Sequence, residues 1–286
     1  MSKLHVFGCS VTQGFALPDV VKPILHPDGT ALTDQEIQDD PTIHWGDIHL
    51  YQASDYAWPQ VLADQLGWSV VNHARRGACF NQIARQCAVH AQNIPSEDVA
   101  IVMWTYNSRM SLQWPQRTTV PLCTEVDTSD GVWRTVTRGF NKLVGLDPAR
   151  TATTPEHETQ MQRWIKQSTT YTYMDPRAIW DRYYNNLVTQ TLVDGYLSSR
   201  GARVIHLSVE PLSALDQLQS AYDALHSSLQ APYNIPDPQD WYNLTVDHTS
   251  CRVILDPSIP TAENDMHPSV THHANFATHL RETYFS

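Results

Sequence analysis

The chain is poor in the residues that would tie it to a disulfide scaffold, a membrane or a nucleic acid. Its five cysteines (Cys9, Cys79, Cys87, Cys123 and Cys251) are odd in number and far apart, with no C-x-x-C pair. That spacing indicates neither a disulfide framework nor a zinc knuckle, so reduced thiols are expected. No apolar run approaches the roughly 18 residues of a membrane-spanning helix. The stretch Met1 to Gly8 lacks the apolar core and small-residue cleavage site of a signal peptide, and a cytoplasmic or virion-associated location is the expectation. Basic residues are scarce, 19 Lys and Arg against 30 Asp and Glu, for a formal charge of −11. A field of that sign repels phosphate backbones and anionic lipid, so neither nucleic acid nor a membrane surface is an expected partner. Fourteen histidines are present, but no His-Glu-x-x-His. The spacing His267-x4-His272 is not a helical zinc site followed by an acid, so no metal and no cofactor are expected. There is no internal repeat.

What is present is enough apolar material, 41% of 286 residues, for a full core in one elaborated domain spanning 1–286. Lys3 to Phe7 is a short apolar run that stops at Gly8-Cys9-Ser10, as a buried parallel strand does on meeting a loop. From Asp55 the period turns helical, with Trp58, Val61, Leu62 and Leu66 on one face and Gly67 as the stop. Trp68 to Asn72 predicts a second strand, Asn81 to Gln92 a helix with Ile83, Cys87 and Ala91 inward, and Val99 to Trp104 a third strand. A helix over about 176–200, bearing Ile179, Tyr183, Leu187, Thr191 and Val193-Asp194, leads to a fourth strand, Arg203 to Ser208. His272 to Tyr284 predicts a closing helix.

Alternating strands and helices at this spacing imply an α/β fold, a three-layer α/β/α sandwich with a mostly parallel sheet of about five strands. Two irregular insertions interrupt it, at about 18–54 and 107–175. Within the second, Thr154 and Pro155 suggest the cap and first turn of a helix reaching Gln167. A further irregular region covers roughly 230–262.

In an open parallel sheet, ligands bind beyond the carboxyl ends of the strands. Four segments fall there: Gly8-Cys9-Ser10-Val11-Thr12-Gln13-Gly14, Asn72-His73-Ala74-Arg75-Arg76-Gly77, Thr105-Tyr106-Asn107-Ser108, and Asp265-Met266-His267-Pro268. Ser, His and Asp in one cleft suit nucleophilic catalysis, because a serine hydroxyl needs an imidazole to take its proton and a carboxylate to fix the imidazole's tautomer. Attack on an acyl carbon creates an oxyanion, which the backbone N–H groups of Ser10 and Gly77 and the amide of Asn107 could hold. Each also has a plainer reading. Ser10 could serve its own turn, Gly77 a positive φ and Asn107 a cap, and Cys9 should point away from the cleft into packing.

Together the four segments resemble the blocks of the SGNH/GDSL hydrolase family, serine esterases and lipases of flavodoxin-like fold. The first block departs from the family's Gly-Asp-Ser by carrying Cys9, and the third keeps only Asn107 of Gly-x-Asn-Asp. The resemblance covers roughly 3–110 and 176–286. It implies Ser10 as nucleophile, His267 as general base, Asp265 as its orienter, and Ser10, Gly77 and Asn107 as oxyanion donors. Arg109, Tyr106 and His273 are candidate substrate contacts, although Arg109 could equally make a structural ion pair. The implied activity is hydrolysis of a carboxylic ester through an acyl-enzyme. The polar, aromatic insertions favour a carbohydrate or similar small ester, with O-deacetylation the first expectation. The aromatic residues there could as well pack the insertions onto the sheet. An acyltransferase using the same triad, or a non-catalytic carbohydrate-binding or virion-associated protein that kept the fold, are the alternatives.

Overall fold

The computed structural model describes residues 2–22, 24–30, 32, 52–106, 110–114, 126–128, 131–136, 159, 176–210, 246–247, 249–262 and 267–286, with backbone only for 110–114, 126–128, 131–136 and 176–180. Five strands form an all-parallel sheet: β1 (Lys3–Phe7), β2 (Ser69–Asn72), β3 (Val99–Trp104), β7 (Arg203–Ser208) and β8 (Val246–Asp247), in the order β2-β1-β3-β7-β8. Every residue of β3 is buried, as a continuous apolar strand covered on both faces should be. The edge strand β2 is only half-buried.

Helices α2 (Trp58–Leu66) and α6 (Val270–Tyr284) cover one face, and α3 (Phe80–His90) and α4 (Pro176–Ser198) the other. In α2, Gly67 takes φ +67° and ends the helix in a left-handed cap, donating its N–H to Ala63 and Asp64 carbonyls. Trp58 of α2 meets Phe276 of α6 edge to face, with ring centroids 5.4 Å apart. The core runs without a break from these rings through Leu4, Val6, Ile101 and Met103 to Leu197 and Leu207.

In α4, 3.6 residues per turn carries the buried stripe through Tyr183, Asn186, Val193 and Leu197. Thr191 is exposed and donates its hydroxyl back to the Leu187 carbonyl. The second insertion contains regular structure that the sequence reading left out: β4 (Met110–Trp114), β5 (Val126–Thr128) and β6 (Gly131–Val136) form an antiparallel sheet in the order β4-β6-β5. The helix expected from Thr154 to Gln167 lies outside the described residues apart from Thr159. The 230–262 region supplies β8 and a short helix, α5 (Cys251–Ile254). Among the described residues, no helix is long and apolar enough to cross a membrane, and no group of three or more His, Cys, Asp or Glu could hold a metal ion. Cys9, Cys79, Cys87 and Cys251 are buried free thiols.

Buried and half-buried histidines make the fold sensitive to acid. His5 meets the Asp98 carboxylate at 3.0 Å, while His73 is stacked on Phe7 at 4.7 Å and on His90 at 4.0 Å. Burial, helped by the nearby His90 and His5, pulls His73 from 6.5 down to about 4, and burial takes His273 to about 3. Both groups hold fewer protons folded than unfolded, so their contribution is complete above pH 6.5 and is lost as pH falls toward 4 and then 3. The urea midpoint should therefore decline across that window. His73→Phe, which keeps the ring stack, should flatten its upper part; an unchanged slope would show that His73 does not set it.

Candidate active site

The first block is built by close packing around two glycines. The chain leaves β1 at Phe7 and turns at Gly8-Cys9 into the single-turn helix α1 (Ser10–Gln13), with Cys9 at the cap and fully buried in the core. Thr12 folds back over Gly8 so tightly that a Cβ on Gly8 would come within 2.1 Å of Thr12 Oγ1. The same hydroxyl donates to Met103 Sδ at 3.2 Å, tying α1 to β3. Gly14 ends the turn at φ +79°, where a Cβ would meet Ala57, Ser54 and Leu17 at 2.7–2.9 Å. Ser10 thereby stands just beyond the carboxyl end of a central strand.

The loop after β2 is fastened to that turn from both ends. Asn72 donates its amide N–H to the Thr12 carbonyl at 3.0 Å and accepts the Ala74 N–H at 3.0 Å. Gln13 Oε1 accepts the Arg76 N–H at 2.9 Å, and Arg75 N–H reaches the Gly8 carbonyl at 3.1 Å. Gly77 follows in the left-handed region, φ +72°, which a side chain would disfavour. Neither the Ser10 nor the Gly77 backbone N–H has an acceptor among the described residues.

His267 enters from the segment before α6. Its Nε2 lies 2.9 Å from Ser10 Oγ, although 257 residues separate the two. With Nε2 unprotonated, the serine hydroxyl donates to it. Phe15, just past α1, lies against the imidazole with centroids 4.9 Å apart, and the Arg76 guanidinium carbon stands 5.4 Å from the same Phe15 ring centroid. The imidazole is thus bounded by the serine and by a ring that follows the serine's own turn.

Of the residues singled out from sequence, the structure brings Ser10 and His267 together, with Gly77 on the adjoining loop. Tyr106 is half-buried at the end of β3, packed on the core. Asp265, Asn107 and Arg109 lie outside the described residues. His273, read as a substrate contact, is fully buried, and its Nδ1 accepts the Trp58 N–H at 3.1 Å. Helix α2 has Ala57 at its cap and no side-chain cap of its own, so His273 satisfies one of its free N–H groups from α6. Burial holds that imidazole neutral, as the acceptor role requires. Sequence reasoning missed Gln13, Phe15 and Asn72. Gln13 in the first block, Phe15 just after it and Asn72 opening the second carried a signal only in their place beside Ser10 and Gly77.

No family model matches the chain, and no curated protein matches its sequence. Among solved structures it is similar to a member of the lipolytic G-D-S-L family from Veillonella parvula DSM 2008, at 11% identity over 100% of this chain and 99% of that one, TM-score 0.41. It is also similar to an acetyl xylan esterase from the rumen bacterium Butyrivibrio proteoclasticus, at 12% identity over 98% and 64% of the two chains, TM-score 0.40. A third is a carbohydrate esterase whose active site displays divergent catalytic and non-catalytic binding functions, at 10% identity over 99% and 65%, TM-score 0.41. The chain spans 64% and 65% of the length of these two esterases. At such identities and scores the likeness says nothing of substrate.

Proposed function

We propose that the protein hydrolyses a carboxylic ester through an acyl-enzyme formed on Ser10. The observation that carries this reading is the 2.9 Å approach of His267 Nε2 to Ser10 Oγ beyond the carboxyl end of β1. His267 takes the hydroxyl proton as Oγ attacks the acyl carbon, then passes it to the departing alkoxide. Water then attacks the acyl-enzyme, loses a proton to His267, and releases the acid as Ser10 recovers its hydrogen. Asp265, two residues before the base, is assigned to hold the imidazole's tautomer. The oxyanion is assigned to the N–H groups of Ser10 and Gly77, whose lack of acceptors among the described residues supports the role, with the Asn107 amide as third donor.

The substrate assigned is a small or carbohydrate ester, with O-deacetylation first. A net charge of −11 favours a neutral ester over an anionic one. A fluorophosphonate tests the assignment directly, because it forms a stable bond only with an activated hydroxyl. The phosphonyl group should appear on the peptide containing Ser10, and labelling should vanish in Ser10→Ala. Absence of label on the folded protein, or label that survives that substitution, would overturn the assignment.

A further inference from the structure

We infer that His272 is a positioning residue for the Ser10–His267 pair. Its two ring nitrogens close the segment from Asp256 to Ser269 into a loop, and that loop carries His267 to Ser10. The inference rests on the reading of Ser10 and His267 given above.

His272 is buried, 2% exposed, in the first turn of α6. The Ser269 N–H donates to its Nδ1 at 3.1 Å, with Ser269 Oγ 3.0 Å from the same nitrogen. On the other side of the ring, Nε2 lies 2.9 Å from the Asp256 carbonyl oxygen. A backbone N–H can only donate and a carbonyl can only accept, so Nδ1 is bare and Nε2 carries the hydrogen. One neutral tautomer satisfies both neighbours.

Half of this arrangement is helix capping. An N3 side chain that accepts the cap residue's N–H completes a capping box, a task commonly met by Glu or Gln. The other half is not. The bond to Asp256 reaches back 16 residues and adds nothing to α6. Instead it closes a loop whose interior is braced once more, by the Ala262 N–H donating to the His267 carbonyl at 2.9 Å. Asp256 is itself held in a turn, its carboxylate accepting Ser258 N–H at 2.9 Å and its carbonyl the Ile259 N–H at 3.2 Å. His267 belongs to no helix or strand. Its backbone is placed by the Ala262 rung on one side and by the His272 tie at the base of the loop.

A hydrogen bond of 2.9 Å tolerates little displacement, and a misplacement of about 1 Å in a catalytic pair can lower turnover ~100-fold. His272→Leu keeps the volume and removes both ties. His272→Gln offers Oε1 in place of Nδ1 and an amide N–H in place of Nε2–H. With p-nitrophenyl acetate, H272L should lower kcat by roughly 10- to 100-fold while KM stays within about threefold, and H272Q should restore most of kcat. If H272L does not fold, His272→Asn replaces it, since it retains a cap acceptor but is too short to reach Asp256.

A second readout separates this inference from the ester-hydrolase reading. The imidazole 15N resonances of His267 report its hydrogen bond to Ser10, and Ser10→Ala supplies the spectrum of the unpaired ring. H272L should move those resonances toward the S10A spectrum, and H272Q should leave them near wild type. If the wild type turns over no ester yet the resonances respond in this way, the hydrolase reading falls and the positioning role stands. Wild-type kcat and unmoved His267 resonances in folded H272L or H272N would overturn the positioning role.

Discussion

Ser10→Ala is expected to lower kcat for p-nitrophenyl acetate by ~10⁴-fold or more, His267→Ala by a similar factor, and the double variant by scarcely more than either. In the proposed mechanism the two side chains act in one event. The hydroxyl is nucleophilic only while Nε2, 2.9 Å away, accepts its proton, and the imidazole has no proton to take once Oγ is gone. Independent contributions would multiply; a shared step is lost once. Residual rate above the buffer background is expected in all three, because the N–H groups of Ser10 and Gly77 remain to hold an oxyanion formed by water attack. Progress curves at saturating substrate, with folding verified by circular dichroism, measure this. Multiplicative losses would mean that His267 and Ser10 do not share a proton. Near-wild-type rates in S10A would place any esterase chemistry somewhere else.

The strands of the sheet and the meeting of Ser10 with His267 were both within reach of the sequence, for different reasons. Strands β1, β3 and β7 are short apolar runs closed by polar or glycine residues, and a strand buried on both faces leaves that mark. The pair emerged from position together with the family resemblance of the four segments: ligands gather beyond strand ends, where the Ser10 segment falls, and the resemblance implies His267 as its partner. What escaped was structure that rests on partners distant in the chain. Strand β8 is two residues at a sheet edge, too short to show any period. Its Asp247 accepts from Thr249 and from the Tyr284 hydroxyl at 2.8 Å, a contact that no local pattern reveals. Strand β6 follows a two-residue connection from β5, with Gly131 opposite Thr128, but the polar residues around it masked its alternation. His272 and His273 are adjacent in sequence yet serve two separate elements: one ties Asp256 and the other caps α2. Adjacent positions on a helix point about 100° apart. The paired histidines therefore gave no hint which one, if either, faced the cleft.

Gly14→Ala should destabilise the fold by about 2–5 kcal/mol and abolish turnover in whatever protein remains folded. Two costs combine. The backbone stands at φ +79°, where an L side chain is strained by roughly 1–2 kcal/mol. The new methyl would also sit 2.7 Å from Ala57 Cβ and 2.8 Å from Ser54 Cβ, atoms fixed to the backbone that cannot swing aside. Asparagine tolerates the left-handed region better than alanine but brings a Cβ to the same place, so Gly14→Asn should be no better than Gly14→Ala. Gly8 differs in kind, because its obstacle is a single side chain. A methyl there would come 2.1 Å from Thr12 Oγ1 and 2.7 Å from Thr12 Cβ. Gly8→Ala should therefore be as damaging alone, yet partly relieved by Thr12→Ala, which removes the nearer of those atoms. The same Thr12→Ala should do nothing for Gly14→Ala. Urea midpoints of the five variants decide the matter. If Gly14→Ala is within about 0.5 kcal/mol of wild type, or Thr12→Ala rescues both glycine variants equally, then close packing is not why the turn carrying Ser10 begins and ends on glycine.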